Sequence, residues 1–424
     1  MFMITSKIKI TLICLLFCYL MIFSSINSPI LALMEPQVYE TVWPTSDFEY
    51  KDPESLGVNE TYFNMLSDTI QNESLPVKGI LVVKDGYIIK EYFSSDYYKT
   101  ATFNIFSTTK TLTGILTGMA IEKGYIESEN EYIMQYLSDY DISNSDPRIN
   151  NITIAHLLSC TTGVKWDETS YAYDTDPRND WNSWAFQSNK VSDYLNREFL
   201  ADPGTRFEFS TPDSYLLSII INKTTGMTLF DFAKNNLFSK MNITASYWEH
   251  DSKGIVNGAA GLYLCPQNVA KIGYLLLQKG KWENEQIISS SWIEKMNADH
   301  TGDLNNTKWW AKAYGYHAWL LDETLYGKQA FQASGYFGNT RLIILPDYNT
   351  IVLLMVTNPN GEVPEWNERL VIDYVIPAIP KYTPKTTTEL SSNIDGSSIS
   401  FYFSLTIFIL PVIFATKMKS KKRP

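Results

Sequence analysis

Two β-hairpin signatures, one near each end of the body of this chain, restrict its fold more than any other feature. Residues 79–83 are apolar and largely β-branched. Lys84-Asp85-Gly86 carries the Asp-Gly turn signal, and residues 87–92 return with alternating polarity. The second signature runs through residues 340–345, Pro346-Asp347-Tyr348-Asn349 and residues 350–356. Between them lie long stretches with helical spacing. Strands at both ends with helices between predict one antiparallel sheet, closed by pairing the ends, with helices on it and a separate helical lobe. This is an α/β chain of the α+β type. Pro364 opens a last helix that is expected to run to about Ile376 and to stop at Pro377.

The strongest local chemical signal is Ser107-Thr108-Thr109-Lys110. Leu112, Ile115, Leu116 and Met119 continue at helical spacing, and Gly124 suits the C-terminal cap. Ser107 therefore opens a helix and shares a face with Lys110. A serine hydroxyl becomes a nucleophile when a neighbour takes its proton. A lysine does so when burial disfavours its ammonium form. The helix N-terminus adds N–H groups for a developing oxyanion. Alone, the tetrapeptide better describes a capped core helix, and Ser6–Lys9 repeats the spacing in the leader.

Further segments follow in order. Pro203-Gly204-Thr205-Arg206-Phe207-Glu208-Phe209-Ser210-Thr211 leads into a helix near Pro212 that Gly226 ends. Gly258-Ala259-Ala260-Gly261-Leu262-Tyr263 precedes a helix over 266–279. Phe331-Gln332-Ala333-Ser334-Gly335-Tyr336-Phe337-Gly338-Asn339 runs into the last hairpin. Together with Val82-Val83-Lys84-Asp85-Gly86 and Leu157-Leu158-Ser159-Cys160-Thr161-Thr162-Gly163, these segments resemble the serine beta-lactamase-like superfamily. The resemblance is to its class C branch, with esterases, D-amino-acid peptidases and 6-aminohexanoate-dimer hydrolase-like amidases.

That resemblance implies a beta-lactamase/transpeptidase-like fold and an acyl-enzyme serine hydrolase without cofactor or metal. Ser107 would be the nucleophile and Lys110 its base. The N–H groups of Ser107 and Tyr336 would form the oxyanion hole, with Ala333-Ser334-Gly335 on an edge strand beside the nucleophile. Two departures stand out. The second motif reads Phe209-Ser210-Thr211 where the family usually starts with Tyr, so a phenol that moves protons is missing. Tyr171, Tyr173, Tyr215 and Tyr336 are the candidates to replace it. Ala333 stands where beta-lactam-binding members carry a Lys, as in K-T-G. This favours an ester or amide without a carboxylate to hold. Phe209 also supports a rival, a catalytically impaired surface binding protein of the same fold. The aromatic, Asp-rich stretch Trp166, Tyr171, Tyr173, Trp181, Trp184 reads either as a substrate-facing loop or as helical-lobe core. His156, His250, His300 and His317 have no metal-ligand spacing.

The ends read as membrane segments. Lys7 and Lys9 precede an apolar run over 10–23, which has the form of a secretory signal or an uncleaved anchor. Residues 399–416 carry no charge and are followed by Lys417, Lys419, Lys421, Lys422 and Arg423. That is a single span with a cytoplasmic basic tail over 417–424. Residues 1–34 would be the leader, 35–382 the hydrolase body, and 383–398 a Ser/Thr-rich stalk. The body would lie outside the cell membrane. N-x-S/T sequons at Asn59, Asn72, Asn151, Asn222, Asn242 and Asn305 agree with that placement. Lys+Arg number 35 against 46 Asp+Glu, a net charge of −11 that disfavours nucleic-acid binding. The expected partners are therefore a small-molecule or peptide-like ester or amide and the membrane. Cys160 and Cys265 are either one disulfide or, preferably, two buried thiols.

Overall fold

The computed structural model describes residues 41–382 apart from 98, 246, 303–310, 337 and 358–363. The predicted leader, stalk, span and tail lie outside the described residues. Among the described residues, no helix is long and apolar enough to cross a membrane.

Residues Thr41–Tyr382 form one compact unit around an eight-stranded sheet. In chain order its strands are β1 (Glu49–Tyr50), β2 (Val77–Lys84), β3 (Tyr87–Phe93), β4 (Ala313–Tyr314), β5 (Trp319–Leu320), β6 (Phe331–Gly335), β7 (Thr340–Leu345) and β8 (Thr350–Val356). Their spatial order is β1-β3-β2-β8-β7-β6-β5-β4. The two hairpins meet at the antiparallel pairing of β2 with β8, in register Leu81↔Leu353. Asp85 and Gly86 both take positive φ, 52° and 85°, as a two-residue hairpin turn with matching twist requires. The sheet is mixed rather than wholly antiparallel, because β1 pairs parallel to β3 at the edge.

Alternation along the central strands supplies two cores. Leu81 and Val83, Leu342 and Ile344, and Ile351 and Leu353 belong to one apolar cluster. Ile80 and Val82, Ile343 and Leu345, and Val352 and Leu354 belong to the other. Apolar faces on both sides explain why these strands read as continuous hydrophobic runs. Helix α1 (Glu60–Asn72) contributes Phe63, Leu66 and Ile70 to the second cluster. The last helical segment covers the same face. It continues from Glu365–Arg369 through a π-helical turn at Leu370–Val375 to Ile376–Ala378, so Pro377 lies inside its last turn rather than after it.

The first cluster is covered by α2 (Thr108–Glu122), α3 (Thr211–Thr225) and α4 (Pro266–Leu277). Both α2 and α3 are buried nearly all round, which marks them as internal helices. Gly226 ends α3 in the left-handed conformation. Arg341 on β7 points to the opposite face. There it donates to Gln332 Oε1 at 2.9 Å, Asn367 Oδ1 at 3.0 Å and a Glu368 carboxylate oxygen at 2.8 Å. Asn367 in turn donates to Gly338 O at 3.1 Å. This buried polar network ties β6, β7 and the turn between them to the last helix, and so fixes the strand that borders the nucleophile.

Candidate active site

Ser107 is the residue before the first turn of α2, held there by a tight loop. Phe106 adopts φ 49°, uncommon for a residue with a side chain, and its N–H donates to Asn104 Oδ1 at 2.8 Å. The Ser107 side chain makes no capping hydrogen bond. Its hydroxyl is therefore free of the role that a Ser at this position usually plays.

Lys110 lies one turn into α2 and is 1% exposed. Its Nζ is 3.1 Å from Ser107 Oγ, 3.2 Å from Thr211 Oγ1 and 3.3 Å from Ala259 O. Burial pushes its pKa below the ordinary lysine value, while Glu168, Cys160 and Asp213 oppose the shift. The Phe209 ring lies beneath the amine, 4.8 Å from Nζ to the centroid, and stacks on Trp319. The residue that replaces the expected phenol thus presents a π face to the lysine instead of a hydroxyl.

The second motif divides. Ser210 turns away from Lys110, with its Oγ donating to Tyr194 OH at 3.3 Å. Tyr194 OH donates to Asp213 Oδ1 at 2.7 Å. Thr211 turns toward Lys110 and donates through Oγ1 to Glu168 Oε1 at 2.8 Å. Glu168 went unrecognised in the sequence. Its carboxylate is buried and accepts from Trp166 Nε1 at 2.6 Å, Thr211 N at 3.0 Å and Tyr173 OH at 3.1 Å. Burial raises its pKa, while Lys110 and the hydrogen bonds from Thr211 and Trp166 pull the other way.

The other tyrosines separate by position. Tyr215 donates to Asp251 at 2.6 Å, and the Arg178 guanidinium lies over the Tyr171 ring. Tyr173 packs between Trp181 and Tyr336, and Tyr336 stacks on Phe106 at 5.4 Å. The aromatic, Asp-rich stretch divides between the core and the surroundings of the nucleophile. Trp166 and Trp184 are core, whereas Tyr173 reaches the nucleophile's surroundings.

In the third motif Ala333 is buried, Ser334 is half-buried and Gly335 lies against the nucleophile loop. Strand β6 is not an edge strand throughout. Phe331 and Gln332 pair with β5, and only Ala333, Ser334 and Gly335 extend past that pairing. A Cβ on Gly335 would stand 2.7 Å from Ile105 O, 2.8 Å from Phe106 Cβ and 3.0 Å from Ser107 N. No side chain fits without moving the strand or the nucleophile. Gly335→Ala is expected to slow labelling of the enzyme by a fluorophosphonate about 10²-fold, because a displacement near 1 Å costs that much. Labelling rates of the two purified proteins check it.

Among the described residues no cluster of His, Cys, Asp and Glu could hold a metal ion. His317 is a core residue whose Nε2 is 3.0 Å from Ser214 Oγ, and burial drives its pKa down to about 3. Cys160 and Cys265 are free thiols, the first buried and the second half-buried.

A family model described as Beta-lactamase matches residues 74–373. The chain is similar to Protein flp of Staphylococcus aureus strain MRSA252, 24% identical over 213 residues. That match covers 47% of this chain and 40% of the relative, so the chain spans about two fifths of that relative's length. It is also similar to the 6-aminohexanoate-dimer hydrolase of Paenarthrobacter ureafaciens, 17% identical over 339 residues, 76% of this chain and 85% of the relative. Among solved structures it resembles EstCE1, a hydrolase with promiscuous acyltransferase activity. The TM-score is 0.63 at 15% identity, over 76% of this chain and 99% of the other. At that identity the likeness shows the fold.

Proposed function

We propose, since this chain belongs to the beta-lactamase family, that it is a serine hydrolase that opens an ester or amide through an acyl-enzyme on Ser107. The observation that carries this reading is the buried Lys110 amine 3.1 Å from Ser107 Oγ. The names of the two hydrolase relatives support the same class of reaction.

The Ser107 O–H bond breaks and its proton passes to the neutral Lys110 amine. The oxygen pair attacks the carbonyl carbon, and the C=O π pair moves to the oxygen. The N–H groups of Ser107 and Tyr336 are the proposed donors to that oxyanion. Collapse breaks the bond to the alcohol or amine, which takes the proton from Lys110. Water then loses a proton to Lys110, attacks the acyl carbon, and Ser107 Oγ leaves with that proton.

The surroundings favour a small or peptide-like substrate with an uncharged acyl part. Phe106, Tyr173 and Tyr336 form an aromatic wall, and the negative charge of Asp174 acts on Tyr336. Ala333 offers no cation for a carboxylate. A catalytically impaired binding protein is the second reading, favoured by the phenyl ring of Phe209 at the lysine. Reaction with a fluorophosphonate and mass mapping of the adduct decides between them: an adduct on Ser107 is expected, and a folded protein that takes none is a binder.

The body is proposed to face outward from the cell membrane, anchored by residues 399–416. The charge-free run with its basic tail supports this, as do the sequons. Asn72 and Asn151 are exposed, as an acceptor must be. Protease added to intact cells should cut the body. A body protected until the cells are lysed would overturn the placement.

A further inference from the structure

We infer that Glu168 is a positioning residue that, through the Thr211 hydroxyl, turns the Lys110 lone pair onto Ser107. The inference rests on the acyl-enzyme reading above.

The geometry is a matter of counting donors. Ala259 O, 3.3 Å from Nζ, can only accept. The Thr211 hydroxyl has one proton, and it is given to Glu168 Oε1 at 2.8 Å. Toward Lys110, 3.2 Å away, that hydroxyl can therefore only accept as well. Two hydrogens of a neutral amine are thus held by Thr211 and Ala259. The remaining direction, toward Ser107 Oγ, is left to the lone pair.

The carboxylate is itself held in the accepting state. Its Oε2 faces Trp166 Nε1 and Thr211 N, two groups that can only donate. Its Oε1 receives the Thr211 and Tyr173 hydroxyls. When Lys110 takes the Ser107 proton, the new ammonium has an anion one hydroxyl away. Phe209 supplies no oxygen for either task. Glu168 with Thr211 covers both from a different segment, with Trp166 and Tyr173 of that segment fixing its orientation.

The groups that face Lys110 from all sides are Glu168, Asp213, Cys160 and His317. Asp213 is pushed up by burial and bonded to Tyr194, Cys160 is pushed far up, and His317 is neutral above about pH 3. Glu168 is raised by burial too, but it accepts four hydrogen bonds and is the acidic group joined to Lys110 through one hydroxyl.

The test is the second-order rate of fluorophosphonate labelling against pH. Fluoride leaves without needing a proton, so the rate reports Lys110 as a base alone. Labelling requires the neutral amine, so the rate rises with pH through the Lys110 pKa. Glu168 raises that pKa. Glu168→Gln is expected to lower the plateau about 10²-fold and to move the rising limb to lower pH. Glu168→Asp keeps the charge and should return the limb toward the wild-type position. A change in folding alone would scale the rate without moving the limb. An unchanged plateau and limb in Glu168→Gln overturns the inference while wild-type labelling at Ser107 still supports the parent reading. A wild-type protein that is never labelled overturns the parent reading instead. If Glu168→Gln does not fold, Thr211→Val should show the same loss and Thr211→Ser should retain the rate. Equal rates in those two variants overturn the inference.

Discussion

Ser107→Ala is expected to remove ester and amide turnover by on the order of 10⁶-fold, the scale on which serine enzymes lose activity without their nucleophile. The same variant should take no fluorophosphonate adduct. The loss follows from chemistry alone, because no acyl-oxygen bond can form at position 107 and Lys110 then has no proton to accept. Stability should hardly change. A serine that caps a helix through its side chain contributes about 1 kcal/mol, but Ser107 Oγ makes no such bond. Equal thermal melting of the two proteins, measured beside the kinetics, separates lost chemistry from lost fold. Turnover that survives at the wild-type rate would put the acyl group on another residue.

The parts of this molecule that could be read from the sequence are those whose cause is local. The Asp85-Gly86 turn dictates its own backbone, and the β-branched runs beside it end within a residue or two of the observed strands. Ser107 and Lys110 are joined by one helical turn, so their proximity needs no tertiary information. Only the resemblance places Gly335 beside the nucleophile; its tight fit against Ile105, Phe106 and Ser107 has no local signal. The two-residue strand β1 and its parallel pairing leave no periodic signal.

Glu168 illustrates the rest. It meets Thr211 across 43 residues of chain, from an irregular segment whose aspartates resemble it in sequence. A lone Glu between Trp166 and Tyr173 was the available signal, and only burial distinguishes it from its solvated neighbours. The missing phenol at Phe209 could be seen at once. Where the tyrosine hydroxyls lie could not be read, because Tyr215 reaches Asp251 and Tyr173 reaches Glu168 only through the folded chain. The hydroxyl beside the lysine belongs to Thr211, and the group that directs it is a carboxylate.

Lys110→Met should lower the rate of acylation about 10²–10⁴-fold, the usual contribution of one placed general base. Methionine fills the buried volume without a charge or a basic nitrogen, so the variant tests the proton transfer rather than the packing. The sign of the pH effect is fixed by which form reacts. Only the neutral amine can take the Ser107 proton, and burial holds its pKa below the ordinary 10.5. The wild-type acylation rate must therefore climb with pH and level off before an exposed lysine would. In Lys110→Met the group that titrates is gone, and the residual rate should lose that limb over the same range. Lys110→Arg keeps a cation but stays protonated at every accessible pH. It should be as slow as Lys110→Met even though it retains the positive charge. If arginine instead restores the rate, the charge alone is what the site needs, and a base at position 110 is the wrong description. If both variants are slow and only wild type shows the rising limb, the proton that leaves Ser107 goes to Lys110.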